Sequence, residues 1–128
     1  MQVADVEWQT PRWVDTLKKH RRCGPGAREK WERSDLVAET LSRGRHSLYS
    51  PYLSSDEIRE MEMLCLQNGT QLPGSRHNVR TYWFRSPDLV GASSGEKTNY
   101  IFVQYNISGE VHGYPVTAAY LRQKGATP

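Results

Sequence analysis

A chain of 128 residues is long enough for one domain with a single modest core and too short for two. Hydrophobic residues make up 37% and charged residues 24% of the sequence, which predicts a soluble globular protein and excludes a disordered one. No apolar run approaches the roughly 20 residues that cross a bilayer, and the N-terminus lacks a signal-peptide core. We therefore expect no membrane segment and no targeting signal within the chain.

The positive charge of the chain is unevenly placed. Lys and Arg number 17 against 14 Asp and Glu, a net charge of +3, and they crowd the first quarter of the sequence. Such a basic surface suits a polyanion such as RNA or DNA, although a solvated helix face explains the cluster equally well. Within it, His20 is interpreted as a solvated residue at a basic helix end. The cluster comprises Arg12, Lys18, Lys19, His20, Arg21, Arg22, Arg28 and Lys30.

Helical patterns dominate the first half of the chain. Thr10 as an N-cap and Pro11 at the first helical position predict a short helix to about Arg22. A second helix is predicted from about residue 27 to residue 42, and Gly44 lies just beyond its end. Residues 43–53 contain a proline and are expected to form a loop.

The clearest helix start lies at Ser54, because Ser54 and Glu57 match a capping box. Apolar residues follow at helical spacing, and Asn68-Gly69 ends this helix. Cys65 falls on the apolar stripe and is predicted to be a buried thiol. Cys23 and Cys65 show no metal-ligand spacing, so no metal site is predicted, whereas a disulfide between them stays an open alternative.

Strand patterns dominate the second half. Residues 78–85 predict a strand, and a flexible loop rich in Gly and Ser is expected over residues 88–98. Residues 100–107 and 110–116 predict the two strands of a central hairpin, and a short helix is expected over residues 118–124. Helices followed by a small antiparallel sheet predict an α+β fold in a single domain, helical over about 10–68 and a sheet over about 78–117.

The register of the hairpin decides the environment of His112. A two-residue turn at Ser108-Gly109 would place Tyr105 opposite His112 and mix apolar and polar side chains on each face. A type I turn followed by a G1 bulge at Gly109 would instead pair Tyr105 with Val111 and Gln104 with His112. Because the bulged register separates the two kinds of side chain, we prefer it and predict His112 on an open polar sheet face.

The sequence contains no P-loop, dinucleotide fingerprint, zinc-ligand pattern or nucleophile elbow. Its His, Lys, Arg and Tyr residues suit metal-free RNA cleavage, which needs a base for the ribose 2′-hydroxyl, an acid for the 5′-oxygen and a cation for the phosphorane. We therefore expect a ribonuclease that uses no metal and no cofactor. The candidate catalytic residues are His112 as general acid or base, His77 as its counterpart, Lys97 and Arg80 as phosphate ligands, and Thr117 or Tyr105 as positioning groups. The candidate nucleic-acid-binding residues are Arg76, Arg45, His46, Thr98, Gln104 and Tyr114.

Three short motifs occur together in the C-terminal portion: R-H-x-x-R at Arg76, His77 and Arg80, GEKT at residues 95–98, and EVHGYPVT at residues 110–117. With them, residues 76–124 resemble the catalytic part of the toxin nucleases of the barnase, EndoU, colicin and RelE superfamily. The resemblance implies a toxin domain of a contact-dependent growth inhibition or other polymorphic toxin system that cleaves tRNA or another structured RNA. It further implies a cognate immunity protein and delivery into the cytoplasm by a larger secreted bacterial protein. The paired histidines usual in EndoU-like members are not visible in the sequence.

Other classes of function fit the same residues. A non-catalytic nucleic-acid-binding module would use the basic and aromatic side chains for salt-sensitive binding without cleavage. A protein-interaction module would use the Tyr-rich loop at residues 48–53. An ADP-ribosyltransferase is the weakest alternative, because no Glu-x-Glu pair follows on a strand.

Overall fold

The computed structural model describes residues 8–13, 20–22, 24–41, 47–73 and 77–128. Of the described residues, 30% are helical and 32% lie in strands, and the sheets are antiparallel with one short parallel pair, which confirms the predicted α+β class. In chain order the elements are β1 (Arg12–Trp13), α1 (Ala27–Glu32), α2 (Asp35–Glu39), β2 (Leu48–Tyr49), α3 (Ser55–Asn68), β3 (Thr70–Gln71), β4 (Val79–Arg85), β5 (Gly91–Ser93), β6 (Glu96–Thr98), β7 (Tyr100–Asn106), β8 (Glu110–Val116) and α4 (Ala118–Gln123).

The strands form two sheets. The larger sheet has the order β1-β8-β7-β4-β3, with β1 parallel to β8 and every other pair antiparallel. The smaller sheet has the order β2-β5-β6 and is antiparallel throughout. The predicted hairpin of β7 and β8 therefore stands at the centre of the larger sheet, between β4 and β1.

The hairpin adopts the bulged register. Tyr105 lies opposite Val111, and Gln104 lies opposite His112. Gly109 has φ 96°, the left-handed conformation that a G1 bulge requires. The Asn106 side chain stabilises the turn, because its Oδ1 accepts hydrogen bonds from the N–H groups of Ser108 and Glu110, both at 3.1 Å. The register prediction is confirmed.

The two faces of the larger sheet are covered by different helices. On one face, Ile101, Val103 and Val111 are fully buried against residues of α3 such as Cys65. On the other face, Phe102 and Val116 pack with Leu121 of α4. The predicted polar face is therefore polar only toward the hairpin turn, since its other end carries an aromatic core of its own.

Helix α3 begins as the sequence predicts. The Oγ atom of Ser54 accepts a hydrogen bond from the N–H of Glu57 at 3.1 Å, and the Glu57 carboxylate accepts one from the N–H of Ser54 at 3.0 Å. The helix ends at Gly69, where a Cβ atom would lie 2.4 Å from the carbonyl oxygen of Cys65. The Cys65 thiol is free and buried, as predicted, and burial raises its pKa to about 12.

The first predicted helix is corrected at its start. Arg12 and Trp13 form the edge strand β1 instead, paired with Glu110 and Val111 of β8. Pairing with a sheet edge and packing of the partly buried Trp13 ring against the core outweigh the local N-terminal helix signals. Residues 14–19, the middle of that prediction, lie outside the described residues.

The second predicted helix is divided into α1 and α2. Ser34, at the break, has φ 68°, so the backbone leaves the helical path there. This break lets Trp31, Leu36 and Val37 pack together with residues of the smaller sheet. Burial of three side chains in one cluster therefore wins over the propensity for a single continuous helix.

The predicted flexible loop at residues 88–98 is also corrected. It forms the hairpin of β5 and β6, whose turn residues Ser94 and Gly95 both have positive φ, at 52° and 79°. Positive φ at both central residues is the signature of a tight two-residue hairpin turn. Strand β2, within the predicted loop at residues 43–53, pairs with β5 in the same way. No helix in the described part of the chain is long and apolar enough to cross a membrane.

Candidate active site

A polar row crosses three strands of the larger sheet near the hairpin turn. Thr81 of β4 lies opposite Gln104 of β7, and Gln104 lies opposite His112 of β8. Residues opposite each other in antiparallel strands share a face, so the three side chains lie side by side. All three are half-buried. Of the predicted site residues, the structure therefore brings Gln104 next to His112.

A second histidine, from a distant part of the chain, completes this row. The Nε2 atom of His20 lies 3.2 Å from the Nε2 atom of His112, and the ring centroids are 5.4 Å apart, so the rings meet end to end. The Nδ1 atom of His20 lies 2.7 Å from the carbonyl oxygen of Ser47. His20 is only 5% exposed, so its interpretation as a solvated helix-end residue is wrong.

These contacts decide where the hydrogens lie. A carbonyl oxygen only accepts hydrogen bonds, so Nδ1 of His20 carries a hydrogen and donates it to Ser47. In a neutral ring, Nε2 of His20 then holds a lone pair and accepts a hydrogen bond from Nε2 of His112. The donor and acceptor roles of both Nε2 atoms, and of Nδ1 of His20, are thereby assigned.

The geometry of the pair favours the uptake of one proton over the uptake of two. One added proton leaves a single hydrogen between the two Nε2 atoms, so the hydrogen bond of His20 and His112 survives. A second would place two hydrogens in a gap of 3.2 Å and two positive charges side by side. The arrangement therefore suits the transfer of a single proton.

Two tyrosines extend the site. The ring of Tyr114 stacks on that of His20 at 5.5 Å and lies 5.2 Å from the ring of His112. Its hydroxyl group is 3.1 Å from that of Tyr120 in α4. Burial raises the pKa of Tyr114, so the phenol stays protonated at neutral pH. Because one hydroxyl donates to the other, the tyrosine pair retains one further O–H for another acceptor.

Arg80 and Tyr105 belong to the other face of the sheet. They lie opposite each other in β4 and β7, one residue out of step with the row that carries His112. The Arg80 guanidinium lies 4.0 Å from the centre of the Trp8 ring, and the Tyr105 hydroxyl donates to the carbonyl oxygen of Gln9. The sheet itself therefore separates these two predicted catalytic residues from His112.

Three further predicted residues have structural contacts. The Oγ1 atom of Thr117 accepts a hydrogen bond from the N–H of Tyr120 at 3.1 Å and caps α4. The Thr98 hydroxyl donates to the carbonyl oxygen of Val116 at 2.7 Å and is buried. The Nζ atom of Lys97 lies 5.0 Å from the centre of the Trp31 ring. These contacts account for all three residues without any role in chemistry.

The remaining predicted residues divide between an exposed turn and the undescribed part of the chain. His77 is exposed in the turn before β4. Arg45, His46, Arg76 and Cys23 lie outside the described residues, and the free Cys65 thiol contradicts the disulfide alternative. Among the described residues, no group of three or more His, Cys, Asp or Glu side chains is placed to hold a metal ion.

Sequence reasoning missed His20 as a member of the site. It lies 92 positions from His112, and no local pattern connects the two residues. The signal that exists is their residue type alone, because imidazole is the side chain that titrates near neutral pH.

A surface cavity of about 390 Å³ lies at the start of α1. Its charged lining residues are Arg21, Arg28 and Glu29, and neither histidine lines it. Arg21 holds the carbonyl oxygen of Leu53 through Nε and Nη2, at 3.1 and 2.9 Å. Arg21 is therefore held in place by the backbone at one wall of this cavity.

No family model, curated protein or solved structure matches this chain. The class of protein therefore rests on the chemistry of the site alone.

Proposed function

We propose that this protein is a metal-independent endoribonuclease whose active centre is the His20–His112 pair. The observation that carries the proposal is the end-to-end hydrogen bond between the two rings on a half-buried polar row. A backbone carbonyl fixes the buried His20 ring, and His112 lies half-buried on the polar row. The pair is therefore oriented for proton transfer without help from a metal.

The proposed reaction uses the one-proton capacity of the pair. The ribose 2′-hydroxyl gives its proton to the pair through the His112 imidazole, and the 2′-oxygen forms a bond to phosphorus. The bond between phosphorus and the 5′-oxygen breaks, and the departing 5′-oxygen takes the proton back from the pair. The products are a 2′,3′-cyclic phosphate and a 5′-hydroxyl end, and the histidines return to their starting state.

Neighbouring groups supply binding and charge. Gln104 offers an amide beside His112, and the spare O–H of the Tyr114–Tyr120 pair can donate to a phosphate oxygen. Arg21 and Arg28 line a cavity that also carries Glu29, and we assign contacts with the RNA backbone to these two arginines. A net charge of +3 favours the same class of substrate.

The resemblance of residues 76–124 to polymorphic-toxin nucleases supports the proposed setting. We propose that the domain acts on tRNA or another structured RNA in the cytoplasm, after delivery by a larger secreted protein. A cognate immunity protein would then protect the producing cell. This setting rests on the resemblance, whereas the chemistry rests on the histidine pair.

The test is incubation of the purified protein with total bacterial RNA in EDTA. We expect discrete fragments with cyclic phosphate ends from the wild type, and a loss of rate of roughly 10²-fold or more in His112→Ala. His77→Ala is the matched control, because His77 is exposed and lies in a separate turn. The fold of each variant is checked by circular dichroism.

Each contrary result points to a different function or to a different catalytic residue. Binding of RNA that weakens with salt, without product, would indicate a nucleic-acid-binding module. Full cleavage by folded His112→Ala would remove the histidine pair from the mechanism. Loss of cleavage in His77→Ala would return His77 to the catalytic role that the sequence predicts.

A further inference from the structure

A buried carboxylate lies directly behind the strand that carries His112. Glu62 of α3 is only 3% exposed, and it lies on the face of the sheet opposite the histidine pair. A Cβ atom at Gly113 would be 2.5 Å from its Oε2 atom, so the carboxylate rests on the backbone of β8. Because Gly113 follows His112, a single strand separates the carboxylate from the imidazole.

The surroundings of Glu62 are polar where a core helix would ordinarily be apolar. The Tyr49 hydroxyl donates to its Oε2 atom at 2.6 Å, within a fully buried site. Burial raises the pKa of Glu62, and the Tyr49 hydrogen bond, the Trp13 indole and Arg59 oppose that rise. The Trp13 Nε1 atom nevertheless makes no hydrogen bond of regular geometry. Cys65 is the remaining titratable neighbour on α3.

Packing alone does not explain a carboxylate in this place. Burying an ionisable group costs free energy that an apolar side chain of similar size would avoid. The two elements that Glu62 contacts are also the two that hold the histidines, since Tyr49 lies two residues from Ser47, and Gly113 is next to His112. Glu62 therefore contacts the supports of both rings.

We propose that Glu62 is a positioning residue for the His20–His112 pair, whose negative charge acts through β8 to stabilise the protonated pair. The consequence for RNA cleavage rests on the proposed function, whereas the electrostatic effect does not. Two unit charges that interact across one strand, at an effective dielectric constant of about 20, shift a pKa by on the order of one unit.

Among the described residues, two further titratable groups of β8 lie on the sheet face of His112. Glu110 shares the sheet face of His112, but its side chain is 49% exposed and lies 3.8 Å from the Arg12 guanidinium. Solvent and the arginine both screen that charge. The aromatic neighbour Tyr114 is a neutral phenol at neutral pH, because burial raises its pKa.

The direct test is a titration of the imidazole nitrogens by NMR in the full chain, without RNA. In Glu62→Gln we expect the pKa for uptake of one proton by the pair to fall by about one unit, because the counter-charge is lost and the shape is kept. Glu60→Gln is the matched control, since Glu60 is exposed on the same helix and its loss changes the net charge equally. An equal shift in both variants, or none in Glu62→Gln, overturns the proposal.

A second variant covers the case in which Glu62→Gln fails to fold. Tyr49→Phe removes a donor that holds the pKa of Glu62 down, so the carboxylate becomes neutral at higher pH. We expect the pKa of the histidine pair to fall in the same direction by a smaller amount. A rise contradicts the proposal, as does an unchanged pKa in a folded Tyr49→Phe protein whose Glu62 carboxyl NMR shows to be protonated where the pair titrates.

The pH profile of RNA cleavage then separates the two proposals. If both hold, the acid limb of kcat/KM moves down in pH by the shift that NMR measures in Glu62→Gln. A shifted titration in a protein that cleaves no RNA supports the role of Glu62 and overturns the ribonuclease. Cleavage with an unshifted titration supports the ribonuclease and overturns the role of Glu62.

Discussion

The two faces of the larger sheet are built from the same three strands, yet they differ in cover and in chemistry. One face is closed by α3, a helix of 14 residues, over fully buried aliphatic side chains. The other is covered by α4, a helix of six residues, whose contacts lie at the end away from the hairpin turn. The row of Thr81, Gln104 and His112 stays half-buried beyond that cover.

The difference arises because successive residues of a strand point to opposite faces of the sheet, so odd-numbered and even-numbered positions of β7 have different surroundings. Alternate residues of β7 supply the closed core through Ile101 and Val103, and the intervening position 104 supplies a polar group. We therefore expect the stability of the fold to depend mainly on the face covered by α3. The candidate site lies on the other face, where the cover by α4 ends and the side chains are half-buried. Four substitutions test this comparison.

The largest effect is expected from Ile58→Ala on the closed face. Ile58 is fully buried in α3, and its truncation should lower the free energy of unfolding by about 2–5 kcal/mol. Gln104→Ala, on the half-buried row, should change it by about 0.5 kcal/mol. Urea unfolding measures both. Similar losses of unfolding free energy in the two variants would show that both faces contribute equally to stability.

The next largest effect is expected from Gly113→Ala, which probes the strand between the faces. The added Cβ atom would meet the Glu62 carboxylate at 2.5 Å, so we expect a loss of about 1–3 kcal/mol. Glu62→Ala in the same background removes the clash, so the two changes should be strongly non-additive in urea unfolding. Simple additivity would mean that Glu62 does not rest on β8.

The elements that sequence predicts best are those with local causes. The capping box at Ser54 and the bulge at Gly109 follow from a few neighbouring residues, and the alternation in residues 100–107 selects one hairpin register. The same alternation predicts that His112 and Gln104 lie side by side, as they do in β8 and β7. Local steric and hydrogen-bonding rules suffice for these features.

The remainder depends on contacts between distant residues. Strand β1 exists because β8 offers it an edge, and the division between α1 and α2 follows from burial of Leu36 beside the smaller sheet. His20 joins the site because Ser47 and His112 lie on either side of its ring. Each of these contacts joins residues too far apart in the sequence for a local pattern to reveal it. The sequence also predicts that Arg80 assists His112, whereas the two residues lie on opposite faces of the sheet.

A smaller effect is expected from Thr117→Ala, which tests whether this predicted catalytic residue is a cap. The Thr117 hydroxyl accepts the N–H of Tyr120 at the start of α4, so its loss should cost about 1 kcal/mol in urea unfolding. Thr117→Ser keeps the oxygen and should restore most of that stability. RNA cleavage by folded Thr117→Ala should persist, and a large loss of rate that Thr117→Ser rescues would favour a role in chemistry.

The smallest effect is expected from Arg80→Met on the closed face. Its guanidinium lies over the Trp8 ring at 4.0 Å, a cation–π contact worth about 0.5–1 kcal/mol when partly exposed. Methionine keeps much of the side-chain volume, so the lost stability should not exceed that range. Because β4 and β7 place Arg80 opposite Tyr105 and out of step with His112, the rate of RNA cleavage should stay within about twofold of the wild type. A hundredfold loss of rate would require an RNA strand that reaches both faces of the sheet, and the division of tasks between the faces would then fail.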